Sequence, residues 1–143
     1  MSPPNFTKES ERSANDSNIS AKTIAIYMGK LLLLQNKDGT YELPGGHIKV
    51  EEDILTGAKR EFKEETGVDM VPVRILSKKP KRVIFYSKLK SRFIKLSREH
   101  VGFRFVDINM VYSLKLSKKA YKDLLFLKTK KKQKKDDSIQ DIP

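Results

Sequence analysis

The sequence predicts an α/β chain in which a mixed sheet is covered by helices on both faces. Three observations carry that prediction. Short runs rich in β-branched and aromatic residues, bounded by Gly, Pro, Asn and Asp, lie on both sides of a central segment. That segment, between Glu51 and Gly67, spaces its apolar residues at a helical period. A second helical pattern follows the last of the strand-like runs.

Taken in order, residues 1 to about 20 are rich in Ser, Asn, Pro and charge, bury almost nothing, and are expected to form a disordered tail. Lys22–Tyr27 reads as a strand, Met28-Gly29-Lys30 as a turn, and Leu31–Gln35 as a second strand. Lys37-Asp38-Gly39 makes another turn, and Tyr41-Glu42-Leu43 leads into Pro44-Gly45-Gly46. In the central helix, Glu51, Glu52 and Asp53 are placed in the first turn, where negative charge suits the helix dipole. Ile54, Leu55, Ala58 and Phe62 form its apolar stripe, and Gly67 stops it. Val71–Leu76, Arg82–Lys88 and Val101–Ile108 are further strands. A helix from about Ser117 to Leu127 turns Tyr121, Leu124 and Leu125 to one side. From Lys128 the charge run is expected to be frayed or disordered. The organisation is therefore a tail over 1–20, one domain over 21–127 and a basic tail over 128–143, with no internal repeat. A domain of that size can bury a real core.

The central helix carries the chemistry. Glu61, Glu64 and Glu65 stand at i, i+3 and i+4, so their carboxylates share one face beside the apolar stripe. Like charges there repel by a few tenths of a kcal/mol per pair, which points to a bound cation. All-oxygen ligands favour a hard ion that keeps several waters and reaches phosphates, a description that fits Mg2+, with Mn2+ as a substitute. The bland alternative is a solvated acidic face, but it leaves the upstream Leu43-Pro44-Gly45-Gly46 and the Arg60-Glu61 pair unexplained. Glycine at 45 and 46 lets a carbonyl approach a metal closely.

Gly46, Glu52, Arg60, Glu61, Glu64, Glu65 and Gly67, with apolar Phe62 and Val68 between and after them, reproduce the pattern G-x5-E-x7-R-E-U-x-E-E-x-G-U without a departure. In this the chain resembles the Nudix hydrolases, and the likeness extends over roughly residues 22–127. The resemblance implies an α/β/α sandwich with a mixed central sheet, and hydrolysis of a nucleoside diphosphate linked to a further group: a nucleotide, a dinucleoside polyphosphate or a nucleotide sugar. Water attacks a phosphorus of the diphosphate bridge. Carried over by position, Glu61, Glu64 and Glu65 bind the metals, with the Gly45 carbonyl as a further ligand. Glu52 and Arg60 brace the site, Arg60 through a two-pronged pair with a carboxylate. The base is either Glu61 or Glu99, since Ser97–Val106 resembles the segment where many members place one more acidic residue. Glu99 is equally open as a metal ligand or a surface residue, and His100 reads as structural. A descendant that keeps the fold without catalysis typically loses box glutamates; this chain has them all.

Composition excludes several alternatives. There is no cysteine, so disulfides, thiolate zinc sites and a cysteine nucleophile are out, and only two histidines exist. No serine sits in a G-x-S-x-G setting. Neither a signal-like apolar stretch nor a membrane-spanning run is visible, which predicts a soluble, cytoplasmic protein with no membrane partner, monomeric or homodimeric. The formal net charge of +12 comes from 30 Lys and Arg against 18 Asp and Glu. It suits either a solubilising lysine bias or weak, salt-sensitive RNA binding through the tail, and with the latter a role in RNA 5′-end processing.

Substrate choice lies outside the box. Arg82, Arg98 and Arg104, and also Arg92, are candidates for phosphates, and Phe85, Tyr86, Phe93 or Phe103 for stacking on a base. The alternative is that the aromatics fill the core and the arginines face solvent. No further motif selects one substrate.

Overall fold

The computed structural model describes residues 18–133. Seven strands form one mixed sheet. They are β1 (Ser20–Tyr27), β2 (Lys30–Gln35), β3 (Tyr41–Glu42), β4 (Gly45–His47), β5 (Val71–Lys79), β6 (Arg82–Lys88) and β7 (Gly102–Asp107). The path runs β3-β2-β1-β6-β5, with β7 on the far side of β2 and β4 alongside the start of β1. β1 and β6 are parallel, pairing Ser20 with Arg82 through Ile26 with Lys88; every other strand pair is antiparallel. Helix α1 (Ile54–Thr66) covers one face, and a 3-10 turn (Ile108–Ser113) with helix α2 (Lys118–Gln133) covers the other.

Alternation along the strands builds the two cores. Leu31 and Leu33 join Ile24, Ile26, Tyr86, Val111 and Leu124 beneath α2. Leu32 and Leu34 join Ala21, Ala25, Ala58, Phe62 and Phe85 beneath α1. All four leucines are fully buried, and each stabilises the fold by about 1.5–3 kcal/mol. A strand apolar on both sides is the mark of a sheet covered on both faces.

One irregularity positions the site. β1 and β2 stay paired only at their hairpin end, Ile26 with Leu31 and Tyr27 with Lys30. Further on they diverge: the start of β1 pairs with β4, and the end of β2 pairs with β3. The opening that results lies beside the acidic edge of α1.

Several expectations need correction. α1 begins at Ile54, and Asp53 is its cap, accepting the Thr56 N–H at 2.7 Å; Glu51 and Glu52 therefore precede the helix instead of filling its first turn. Leu55 is 40% exposed and leaves the apolar stripe to Ile54, Ala58 and Phe62. Gly45-Gly46, given no element by the sequence, belongs to a short strand paired with β1. The 3-10 turn had no sequence signal. α2 runs on to Gln133, beyond Leu127, in keeping with the good helix propensity of lysine. Tyr121 is 47% exposed and meets Tyr112 edge-on, so only Leu124 of the three expected residues reaches the core. Phe85 and Tyr86 sit on an interior strand and fill the two cores, which removes them as base-stacking residues. Where disorder is expected, over 1 to about 20 and over 128–143, Ser20 instead opens β1 and residues 128–133 continue α2, while residues 1–17 and 134–143 lie outside the described residues.

Candidate active site

A cleft of about 430 Å³ opens where β1 and β2 part. Its walls include Lys22, Glu42, Gly45, Gly46, Arg60 and the three carboxylates Glu61, Glu65 and Glu99.

The helix wall is organised by Arg60. Its Nε and Nη2 donate to Glu52 at 2.6 and 3.1 Å, its Nη1 to Glu61 and Glu64 at 3.2 Å, and its Nη2 also to the His47 carbonyl at 3.1 Å. The planar fork makes this possible, since it presents five donors in fixed directions. Hydrogen bonds to Arg60 hold the Glu52 carboxyl below its ordinary value against a smaller opposing effect of burial. Burial raises Glu61, and Arg60 offsets part of that. Gly46 leaves room for this carboxylate: a Cβ at this position would lie 2.4 Å from the Glu61 Oε1 and displace it.

Glu65 is the innermost carboxylate, 5% exposed. Its Oε1 accepts the Gly45 N–H at 2.9 Å. Gly45 holds φ of +134°, and a Cβ would fall 2.1 Å from the Ala21 carbonyl oxygen, so only glycine can present its backbone at this point. Burial pushes the Glu65 carboxyl up to about 8; the Gly45 N–H and Lys22 oppose the rise, and Glu99 adds to it.

The opposite wall comes from β1, β3 and the loop between β6 and β7. Lys22 Nζ donates to the Leu43 and Gly45 carbonyls, both at 3.1 Å, and lies 3.9 Å from Glu42. Glu42 Oε2 and His100 Nε2 are 2.7 Å apart. Burial alone would raise Glu42, but His100 and Lys22 together bring it below its ordinary value. The loop is tied down by Leu89 N–H to the Ile26 carbonyl, Lys95 N–H to Thr66 and Val101 N–H to Gln35, which delivers Glu99 and His100 to the cleft.

The donor set fits a divalent cation. Ligand atoms of Glu65, Glu99 and His100 lie within 4.8 Å of one another. The His100 Nδ1 is buried without a hydrogen-bond partner, and the Glu65 carboxylate is buried beside a like charge. Both would gain from a cation; the carboxylates suit Mg2+ or Mn2+, while the imidazole nitrogen suits a softer divalent ion than Mg2+.

The structure thus brings together Gly45, Glu52, Arg60, Glu61, Glu65 and Glu99. Glu64 sits at the exposed rim, 56% accessible and paired with Arg60. Arg82 lines the cleft, but its Nε and Nη2 are taken by Asp123 at 2.8 and 2.7 Å. Arg98 and Arg104 are exposed and do not line the cleft; Arg104 is on β7 and stacks 6.0 Å over Tyr41. Phe93 and Arg92 pair with each other at the surface, and Phe103 is 38% exposed against Phe105. Sequence reading missed Lys22, Glu42 and Lys119, and underrated His100. Nothing local marks them, because strand pairing and loop anchoring bring them in.

The family model of the NUDIX domain matches residues 18–127. The asymmetrical bis(5′-nucleosyl)-tetraphosphatase of Rattus norvegicus is 32% identical over 96 residues, which make up 56% of this chain and 65% of that protein. The chain thus spans just under two thirds of that relative. Among solved structures, the MutT protein from Methanosarcina mazei Go1 superposes with a TM-score of 0.63 and 24% identity, covering 81% of this chain and 95% of that one. An ADP-ribose pyrophosphatase from Streptococcus suis 89-1591 gives a TM-score of 0.56 and 24% identity over 64% of this chain and 74% of that one.

Proposed function

The chain belongs to the Nudix family, and from that premise we propose that it is a divalent-metal-dependent pyrophosphohydrolase that cleaves the diphosphate bridge of a nucleoside diphosphate linked to a further group. The observation that carries this reading is the buried Glu65 carboxylate facing Glu99 and His100 inside a cleft whose glycines admit a close approach. Similarity to a dinucleoside tetraphosphatase supports a phosphoanhydride as the bond broken.

Glu65, Glu99 and His100, with Glu61, Glu64 and the Gly45 carbonyl, would hold Mg2+, or Mn2+ in its place. When bound, such an ion neutralises a diphosphate and lowers the pKa of water. The rest of the work falls to the chain. Arg60 and Glu52 lock the rotamers of the acidic edge. Glu61, raised by burial and set against Gly46, or Glu99 on its loop, accepts a proton from the attacking water. Lys22, Lys49 and Lys119 line the same cleft and offer positive charge to phosphate oxygens. Water adds to one phosphorus of the bridge, the bridging oxygen leaves with the other, and two phosphate-bearing products result.

The test is direct. The full chain with Mg2+ is incubated with a nucleoside triphosphate, a dinucleoside polyphosphate, ADP-ribose, a nucleotide sugar and capped RNA, and the products are identified. Two phosphate-bearing products from at least one compound, and none in chelator, are expected. No product from any of them would leave a non-catalytic nucleotide-binding module.

The net charge of +12 favours a second reading, RNA 5′-end processing at the same site, with the lysine-rich end holding RNA. Truncation after Leu127 would then slow turnover of capped or triphosphorylated RNA and spare small nucleotides.

A further inference from the structure

His100 is buried in an unusual way. Its side chain is 1% exposed although it lies on the loop between β6 and β7. A histidine buried for structure alone normally has both ring nitrogens satisfied. Here only one is: Nε2 lies 2.7 Å from Glu42 Oε2, while Nδ1 is buried without a hydrogen-bond partner. Leaving a buried polar atom unpaired is unfavourable, and the groups beside this one are carboxylates. Ligand atoms of Glu65, Glu99 and His100 lie within 4.8 Å of one another.

Glu42 decides which nitrogen is left over. A carboxylate only accepts, so Nε2 carries the proton and Nδ1 keeps its lone pair. Glu42 is itself held. Its Oε1 lies 3.9 Å from Lys22 Nζ, and Lys22 donates to the Leu43 and Gly45 carbonyls, both at 3.1 Å. On the loop side, the Val101 N–H donates to the Gln35 carbonyl at 2.9 Å, which pins the chain next to the imidazole. Metal-bound histidines share this arrangement: a carboxylate on one ring nitrogen fixes the tautomer and the ring plane, and makes the other nitrogen a better donor.

We infer that His100 Nδ1 is a nitrogen ligand in the metal site, positioned by Glu42, and that it tunes the site toward Mn2+ over Mg2+. The inference deepens the metal-dependent reading above and rests on it. Carboxylates alone suit Mg2+; an imidazole favours an ion further along the divalent series, and with oxygen donors making up the rest that ion is Mn2+. The glutamates of α1 supply oxygen only, so the selectivity comes from β3 and the loop. Glu42 does not touch the ion and acts through His100.

The experiment reads metal binding without turnover. Metal-stripped full chain is loaded with Mn2+, and pulsed EPR reports whether a nitrogen is coupled to the ion. An imidazole coupling is expected in the parent, absent in His100→Gln and retained in His47→Gln, which alters the only other histidine. Calorimetry should find Mn2+ bound at least about tenfold more tightly than Mg2+ in the parent. His100→Gln and Glu42→Gln should each weaken Mn2+ by about tenfold and Mg2+ by less than about threefold, so that the preference collapses. Equal weakening of both ions in Glu42→Gln would reduce Glu42 to its charge and overturn its positioning role. Thermal unfolding in chelator checks the variants; if His100→Gln does not fold, the parent spectrum and the partly exposed Glu42 still decide. Mn2+ bound to the parent with no nitrogen coupling, or a coupling lost in His47→Gln, would overturn the imidazole ligand and leave the hydrolase intact. A nitrogen signal from His100 in a protein that turns over none of the nucleotide compounds would overturn the hydrolase and leave the metal site.

Discussion

The two walls of the cleft are held in opposite ways. The helix wall is a local construction: one guanidinium, Arg60, holds Glu52, Glu61, Glu64 and the His47 carbonyl, all within a short stretch of chain. The sheet wall is assembled from distant segments, with Lys22, Glu42 and His100 drawn together by strand pairing and an anchored loop. The helix wall has its three carboxylates braced by a single guanidinium and stays net negative. The sheet wall keeps a buried imidazole nitrogen without a partner and faces Glu65, a carboxylate that burial keeps largely protonated at neutral pH. Where the two walls meet, the donor set of Glu65, Glu99 and His100 suits a cation.

The largest effect should come from that meeting point. Glu65→Gln retains an oxygen for the Gly45 N–H, so the fold is expected to survive, while turnover with Mg2+ should drop by more than about a hundredfold. Stability should move the other way in metal-free protein. A carboxyl raised from 4.5 to about 8 binds its proton more tightly folded than unfolded, so stability is lost as pH rises through that interval. Chemical unfolding in chelator at pH 6 and pH 8.5 should show that decline in the parent and a flatter line in Glu65→Gln. Near-parental turnover of the variant would remove Glu65 from the site.

Next is the brace of the helix wall. Arg60→Lys keeps the charge but not the fork, and should lower kcat by about tenfold to a hundredfold with a smaller change in KM. Equal losses in Arg60→Lys and Arg60→Ala would confirm geometry as the cause; full activity of the lysine variant would reduce the role to charge alone.

The contrast between walls also explains what could be read from the sequence. Helix α1 and its Gly67 stop follow from spacing along one element, where period and chain proximity settle the neighbours; a two-pronged pair for Arg60 was legible too, but its partner Glu52 lies before the helix. The strand runs were legible as well, including Arg82–Lys88 to the residue. The divergence of β1 and β2 was not, because it depends on which strand each segment prefers as its partner, and that preference is a property of the whole sheet. Arg82 shows the limit well. Its type suggested a phosphate ligand, and the cleft does include it, but a buried aspartate 41 residues away holds the side chain in place. Phe85 and Tyr86 failed for a related reason: an interior strand gives both its faces to core.

A smaller effect is expected on the sheet wall. His100→Phe keeps the volume of the ring but removes the partner of Glu42 and the unpartnered nitrogen. Turnover should fall by up to about tenfold, less than for Arg60→Ala, because Lys22 continues to compensate Glu42. A larger loss than for Arg60→Ala would invert the ranking of the walls and make the imidazole a principal holder of the metal instead of an auxiliary one. Raising Mg2+ or Mn2+ should then restore part of the rate, an outcome that a purely structural histidine would not give.

The smallest effect separates the walls by pH. Glu52 has its folded pKa below the ordinary 4.5, held there chiefly by its hydrogen bonds with Arg60. A depressed carboxyl contributes stability that is complete above the unfolded pKa and lost as pH falls through the folded one. The sign is opposite to that of Glu65, although both carboxylates belong to one box. Since Glu52 and Arg60 are partly open to water, the contribution should not exceed about 1 kcal/mol. Unfolding curves of the parent and Glu52→Gln at pH 7 should differ by that amount, and the difference should close as pH falls below the ordinary carboxylate range and the parent carboxylate protonates. A difference that persists once the parent carboxylate is protonated would mean that Glu52 acts through side-chain geometry the amide does not reproduce and not through charge.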